Sequence, residues 1–153
     1  MPSHSESRVL PYTADLMYAI VADVERYPQF VPWCTGTRIL RREPAGSGEV
    51  IWAEMRIGYK ALRERYTSRA ELDPIDHRID VTQTEGPFRR LENHWHFTPL
   101  EQGCRVDFSL VFEFRNRILG QVAAAVLGPV MSRMTHAFEH RAKHLSEKAL
   151  KKL

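Results

Sequence analysis

Apolar and polar residues alternate repeatedly between residues 35 and 115, and this alternation most constrains the fold. The clearest case is residues 105–115, where the apolar side chains at a period of two are Val106, Phe108, Leu110, Phe112 and Phe114. That period is typical of a strand with one buried face. Five similar segments precede it, at residues 35–42, 50–57, 60–72, 77–84 and 89–98. Strands joined by short turns, without helices between them, indicate an antiparallel sheet.

Helical patterns flank this region. Residues 14–23 carry apolar side chains at helical spacing after Thr13, a plausible N-cap, and residues 5–10 could form a first strand. The pattern is again helical from Ile118 nearly to the last residue. A sheet of six or seven strands curls through its own twist, and its concave face needs a cover. The sequence therefore predicts one α+β domain over residues 1–153, a curved antiparallel sheet wrapped around a long C-terminal helix.

The first half of that helix is unusually apolar. Residues 118–131 carry no charge, and Gln121 is their only polar side chain. A helix that is apolar all round is either buried on every side or touches lipid. Pro129 is expected to kink or split the helix near Ala125, because its ring clashes with the carbonyl group four residues earlier.

The segment ADVERYPQFVPWC, residues 22–34, joins the first helix to the sheet and is called the collar here. It contains three aromatic residues, Tyr27, Phe30 and Trp33, and two prolines, Pro28 and Pro32. So apolar a connection is expected to pack over something hydrophobic. Each proline is expected to push the preceding residue toward extended geometry, so that the collar cannot simply prolong the helix.

Composition excludes several classes of protein. A net charge of +3 is too small to argue for nucleic acid on its own, and DNA is not an expected partner. Cys34 and Cys104 have neither metal-type nor redox-type spacing, which fits a reducing compartment. Neither a targeting segment nor a run of about 18 apolar residues is visible, so a cytoplasmic protein is expected.

Short sequence motifs give little support for a metal site or for catalysis. His136, Glu139 and His140 match the inverted zinc-protease pattern, and His94 and His96 flank Trp95, but a polar helix face and an outer strand face explain them better. Asp107 and Glu113 are expected on the strand face opposite the aromatic row. Neither a metal site nor catalysis is predicted. What remains is a surplus of apolar residues, which either form an ordinary core or line an adjustable apolar cavity.

Five segments resemble the ubiquinone-binding (coenzyme Q-binding) family of the START-like, polyketide cyclase superfamily. They are ADVERYPQFVPWC at residues 22–34, YKALRERYTSRAELDP at 59–74, GPFRRLENHWHF at 86–97, GCRVDFSLVFEFRNR at 103–117 and MTHAFEHRA at 134–142. The resemblance implies a helix-grip fold with a hydrophobic tunnel, and a lipid chaperone or carrier that supports ubiquinone in respiration. It equally implies an alternative, because bacterial relatives are described as toxins that bind the large ribosomal subunit and block subunit association.

The resemblance implies no catalytic residue and no cofactor other than ubiquinone as a bound ligand. Expected partners are ubiquinone or a related isoprenoid lipid and, transiently, a membrane surface such as the inner membrane. The ribosomal alternative would use Arg63, Arg65 and Arg69, and a cyclase-like enzyme is a third hypothesis that needs several polar groups in the cavity. The residues expected to line the tunnel are Tyr27, Phe30, Val31 and Trp33 at the mouth, and Met55, Leu62, Tyr66, Phe88, Leu91, Trp95, Phe108, Phe112, Val126, Leu127, Val130 and Met134 inside.

Overall fold

The computed structural model describes residues 3–59 and 62–151 of the chain. Seven strands and the two predicted helices follow one another in the order expected from the sequence, and the collar adds a third, short α-helix and a 3₁₀ helix at Val24–Arg26. The elements are β1 (Ser3–Leu10), α1 (Ala14–Ala22), α2 (Tyr27–Phe30), β2 (Cys34–Ala45), β3 (Gly48–Tyr59), β4 (Leu62–Asp73), β5 (Arg78–Glu85), β6 (Phe88–Leu100), β7 (Gly103–Phe114) and α3 (Arg117–Lys151).

All seven strands form one antiparallel sheet in the order β1-β7-β6-β5-β4-β3-β2. Strands β2 to β7 follow one another as a meander, while β1 crosses to the far side and pairs with β7. The α+β class and the long C-terminal helix are thereby confirmed. Most strands extend one to three residues beyond their predicted bounds, and Lys60 and Ala61 of the predicted 60–72 strand lie outside the described residues.

Helix α1 begins as its sequence indicates. The backbone N–H of Leu16 donates to the Thr13 hydroxyl oxygen at 3.1 Å, which caps the first turn. Ala14, Met17, Ile20 and Val21 are buried. The helix therefore packs its apolar face against the sheet and α3.

The collar differs in part from its prediction. Tyr27 precedes Pro28 yet has helical φ −52° and ψ −42°, because Pro28 lies in the first turn of α2, where its missing N–H leaves no helical bond unmade. Val31 before Pro32 is extended, with φ −86° and ψ 113°. The expectation about prolines is correct for Pro32 and wrong for Pro28.

Helix α3 starts at an asparagine that the sequence reading missed. Asn116 Oδ1 accepts hydrogen bonds from the backbone N–H groups of Ile118 at 2.8 Å and Leu119 at 3.2 Å. The helix continues through Pro129, so of the two expected effects of this proline, a kink or a split, the split does not occur. Pro129 cannot donate to the carbonyl group of Ala125, but both residues lie on the exposed side of the helix, where water can hydrate that carbonyl group.

The core lies between the concave sheet face and α3, in two clusters. The larger combines α1, the collar and the second half of α3 with the sheet. The smaller contains Leu62, Phe88, Leu91, Phe112, Phe114 and Ala123. Tyr66, Leu110 and Leu127 pack against both clusters. The space between these clusters is where the candidate site lies.

Candidate functional site: an apolar cavity beneath the C-terminal helix

An apolar cavity of about 180 Å³ lies between the concave sheet face and α3. Each strand contributes alternate side chains, except that an irregularity between Phe88 and Arg90 of β6 brings Phe88 to the same face as Leu91, and α3 closes the opposite side with Ala123, Val126, Leu127 and Val130. Period-two alternation therefore places the cavity, because it directs every second side chain of β3 to β7 toward the helix.

Nearly all residues expected in the tunnel line this cavity. They are Tyr27, Trp33, Met55, Leu62, Tyr66, Phe88, Leu91, Trp95, Phe108, Phe112, Val126, Leu127, Val130 and Met134. Phe30 and Val31 do not line it. Phe30 packs edge-on against Phe138, with ring centroids 5.3 Å apart, and Val31 is a core residue only 2% exposed. The collar thus contributes four separate residues to the wall, Ala22, Val24, Tyr27 and Trp33, instead of a continuous rim.

The cavity also has lining residues that the sequence reading missed. They are Val21, Ala22, Val24, Ile51, Ile57, Ser68, Ala70, Leu72, Ile79, Val81, Asn93, Leu110, Phe114, Ala123, Met131 and Phe138. Strand parity could have found Ile51, which is in phase with Met55, and Asn93, which is in phase with Leu91 and Trp95. The sequence gives no such indication for the α1 residues on the wall, because their position there depends on how that helix packs against the sheet.

Aromatic rings form much of the wall. Trp95 and Phe108 lie with ring centroids 4.3 Å apart, and Phe88 lies 5.5 Å from Tyr66 in an edge-on contact. Phe138 of α3 lies 5.4 Å from Trp95. Interlocked rings of this kind have few rotamers to exchange, so the sheet side of the cavity is comparatively rigid.

The three hydroxyl groups on the wall each have a partner within the protein. The Tyr27 hydroxyl donates to the Val21 carbonyl group, the Tyr66 hydroxyl lies 3.3 Å from Met55 Sδ, and Ser68 Oγ lies 3.5 Å from the Ala53 carbonyl oxygen. Burial raises the pKa of both tyrosines well above the ordinary value of 10.0, so both are neutral at physiological pH.

The indole nitrogen of Trp33 is different. Its Nε1 is buried and has no hydrogen-bond partner among the residues that the structure describes. Within the same described ranges, no carboxylate, imidazole, ammonium or guanidinium group lines the cavity. The wall therefore provides apolar surface, neutral hydroxyl groups, the Asn93 amide and two indole N–H groups, of which that of Trp33 is fully buried without a partner among the described residues.

The histidine motifs lie elsewhere. Glu139 of the inverted zinc-protease pattern forms an ion pair with Arg8 of β1, and His136 and His140 are exposed. On the outer sheet face, His94 Nδ1 lies 2.6 Å from Asp80 Oδ1. Asp107 and Glu113 also face outward and pair with Arg105 and Arg89, as expected for the face opposite the aromatic row.

Similarity to known proteins indicates the family to which the chain belongs. A family model described as polyketide cyclase / dehydrase and lipid transport matches residues 10–139. The protein named ribosome association toxin RatA of Escherichia coli strain K12 is 37% identical over 146 residues, which cover 95% of this chain and 89% of that protein. The Xenopus laevis protein named coenzyme Q-binding protein COQ10 homolog B, mitochondrial, is 35% identical over 144 residues, which cover 91% of this chain and 57% of that protein.

Solved structures agree with the fold. The solution structure of an 18 kDa protein from Caulobacter crescentus matches with a TM-score of 0.82 and 37% identity, over 96% of this chain and 99% of that one. A START superfamily protein from Mycobacterium smegmatis matches with a TM-score of 0.77 at 21% identity, over 94% and 98% of the two chains, which shows the helix-grip fold alone. With the family model covering most of its residues, the chain belongs to the polyketide cyclase / dehydrase and lipid transport family.

Proposed function

We propose that the protein binds ubiquinone or a similar polyprenyl lipid non-covalently in the cavity, as a lipid chaperone or carrier that supports respiratory electron transport. The observation that carries this proposal is the apolar cavity beneath α3, whose described lining has no ionised side chain. Each methylene group that moves from water into such a site contributes about 0.8 kcal/mol. Part of an isoprenoid tail is therefore enough for useful affinity.

The size of the cavity limits what it holds without rearrangement. An engineered apolar cavity of roughly 150 Å³ in another protein binds benzene. At about 180 Å³, this cavity admits a single ring or a short piece of tail. A longer tail requires the first half of α3 to move away from the sheet, so the proposal includes such a movement.

The surface of α3 suggests where that movement happens. An 18-residue window within residues 117–148 has a mean hydropathy of 1.2, and only 17% of it is buried. Ile118 is 72% exposed, and Arg115 and Arg117 are exposed beside it. Apolar side chains flanked by arginines fit the surface of a membrane with anionic headgroups. Loading at the membrane surface is therefore part of the proposal.

One relative favours the same ligand class. The name of the Xenopus laevis relative states that it binds coenzyme Q. The cavity wall presents indole, amide and hydroxyl groups without a carboxylate or imidazole in the described residues, which favours binding over acid–base catalysis. We assign no enzymatic reaction to the site.

Native mass spectrometry of the protein purified from its own host tests the proposal. The expected result is a bound molecule whose mass and extracted ultraviolet spectrum match a quinone or another polyprenyl lipid. A protein that carries no isoprenoid, and that does not bind added ubiquinone with a two-isoprene tail, would overturn it.

A second candidate function is that of a ribosome-associated toxin that binds the large subunit and blocks subunit association. The outer face of β2 to β4 favours it. Arg56 and Arg65 lie directly opposite each other on neighbouring strands, and like charges at such positions repel unless something neutralises them. Nearby, the Arg41 guanidinium lies 3.8 Å from the centre of the Trp52 ring. Arginines around an aromatic ring suit RNA.

The other predicted arginines fit this role unequally. Arg69 already lies 2.5 Å from Glu71, and its guanidinium lies 5.7 Å from the Trp52 ring centre. Glu54 lies 3.5 Å from both Arg38 and Arg56, which leaves the Arg56–Arg65 pair only partly neutralised. Arg56 and Arg65 are therefore the stronger test of the ribosomal function than Arg69.

Cosedimentation with purified large ribosomal subunits tests this second function. Binding through phosphate contacts is expected at low salt and should weaken steeply as salt rises. The double variant Arg56→Glu/Arg65→Glu should lose it, while Arg78→Glu, an exposed change on β5 of the same outer face, should not. Binding that is equal for both variants would contradict the assignment of this face.

A further inference from the structure

The unpaired indole nitrogen of Trp33 carries an inference about ligand orientation that rests on the proposed function. Trp33 lines the cavity, and its Nε1 is buried without an acceptor among the described residues. The backbone at this position is fixed, because the Trp33 carbonyl oxygen accepts a hydrogen bond of 2.9 Å from the Gly58 N–H of β3. Pro32 restricts the chain on the other side. The ring is thus positioned by its backbone and not by a polar partner.

A buried donor without an acceptor is costly. Leaving such a group unpaired destabilises a folded protein by about 1–3 kcal/mol, and buried polar groups in native proteins nearly always have partners. The hydroxyl groups of this wall conform, since those of Tyr27, Tyr66 and Ser68 all have acceptors within reach. The Thr98 hydroxyl, which is also unpaired, does not line the cavity. An unpaired donor in a ligand-sized apolar cavity points to an acceptor on the ligand.

We propose that Trp33 Nε1–H donates a hydrogen bond to an oxygen atom of the bound ligand, a carbonyl or ether oxygen of a quinone-type ring. An indole N–H can donate but cannot accept, so it distinguishes ligands that present an oxygen acceptor from hydrocarbons of the same shape. The contact holds the polar ring at the collar end of the cavity. The apolar tail then lies along the Trp95 and Phe108 rings and beneath α3.

A matched pair of ligands and a matched pair of variants test this contact. The ligands are ubiquinone with a two-isoprene tail and a benzene ring that carries the same tail without any oxygen. The variants are Trp33→Phe, which keeps an aromatic ring but removes the N–H, and Trp52→Phe, which makes the same change on the outer sheet face. Isothermal titration calorimetry measures the dissociation constant of each combination.

Loss of one neutral hydrogen bond is expected to weaken quinone binding by Trp33→Phe about three- to tenfold. Binding of the oxygen-free ligand should be unchanged, and Trp52→Phe should bind both ligands like the wild type. Equal weakening for both ligands would mean that Trp33 contributes only shape, and unchanged quinone binding would mean that it contributes no hydrogen bond. Either result overturns the inference while leaving the proposed function intact.

A measurement on the wild-type protein does not depend on how Trp33→Phe folds. In a protein with ¹⁵N-labelled tryptophan, the indole N–H resonance of Trp33 should move downfield when the quinone is added and should not do so with the oxygen-free ligand. The Trp52 resonance is the internal control. A Trp33 resonance that responds equally to both ligands would overturn the inference. A wild-type protein that binds neither ligand would instead overturn the proposed function.

Discussion

The guanidinium group of Arg8 on β1 pairs with the carboxylate of Glu139 on α3, and so joins the first strand to the second half of the last helix. Beside it, the Thr135 hydroxyl donates to Glu6 Oε1 at 2.8 Å. These contacts fix the helix to one edge of the sheet beyond Pro129. The first half of α3, which covers the cavity, is the part that remains able to move without breaking them.

The first prediction concerns this attachment. Arg8→Ala should lower the free energy of unfolding by about 0.5–1 kcal/mol, a modest value because roughly a third of each side chain is exposed and the pair is screened by solvent. Amide hydrogen exchange should show reduced protection in residues 132–148. Arg105→Ala, which breaks an exposed pair with Asp107 on β7, is the control and should leave protection of α3 unchanged. If α3 is equally protected from exchange in Arg8→Ala and in Arg105→Ala, Arg8 does not attach the helix to the sheet.

The second prediction tests the cavity with neighbouring alanines. Ala123 is 5% exposed and lines the cavity, whereas Ala124, the next residue, is exposed and does not line it. Ala123→Leu should fill part of the cavity and weaken binding of two-isoprene ubiquinone at least tenfold, with about 1–3 kcal/mol of strain where the fit is tight. Ala124→Leu should bind as the wild type does. Calorimetric titration measures both, and undiminished binding by Ala123→Leu would place the ligand elsewhere.

The third prediction concerns Pro129 inside α3. Pro129→Ala restores a donor for the Ala125 carbonyl group and removes the steric clash, so it should stabilise the protein by about 1–3 kcal/mol. Stopped-flow measurements should show slower quinone entry, because a stiffer helix opens less often. Pro44→Ala, an exposed change near the end of β2, should not alter the entry rate. Faster entry in Pro129→Ala would contradict the proposed movement.

The fourth prediction concerns pH. Burial raises the pKa of the Cys34 thiol from 9.0 to about 11. At pH 8, alkylation of Cys34 by iodoacetamide should therefore be about a hundredfold slower in the folded protein than in urea, in a Cys104→Ala background. The thiol contributes stability fully below pH 9, and this contribution is lost as pH rises through about 11. Cys34→Ala should remove that part of the pH dependence. Alkylation of Cys34 at equal rates in the folded protein and in urea would contradict the raised pKa.

The strands and their buried faces were predictable because each depends on local alternation. In β3 and β7, for example, the in-phase residues Ile51, Met55, Phe108 and Phe112 are all buried as expected. The pairing of β1 with β7 was not predictable, since it depends on which sheet edge is still open when β1 docks. The helical turn at Tyr27 was missed because a proline in the first turn of a helix looks, in sequence, like a break.

The site was predictable in part for the same reason. Parity and the family resemblance together place most lining residues, whereas Phe30 and Val31 were expected at the mouth but pack into the core behind the wall. The unpaired nitrogen of Trp33 could not be found from sequence, because whether a buried donor has an acceptor depends on every neighbouring side chain in three dimensions.

The pairing of β1 with β7 has a consequence for synthesis of the chain. Ser3 pairs with Val111, so the first strand made must wait for more than a hundred further residues before its partner exists. Contacts between such distant segments form slowly, and a nascent sheet without its covering helix displays its apolar face to other chains. Premature termination before α3 is therefore expected to yield an aggregating product and not a smaller working protein.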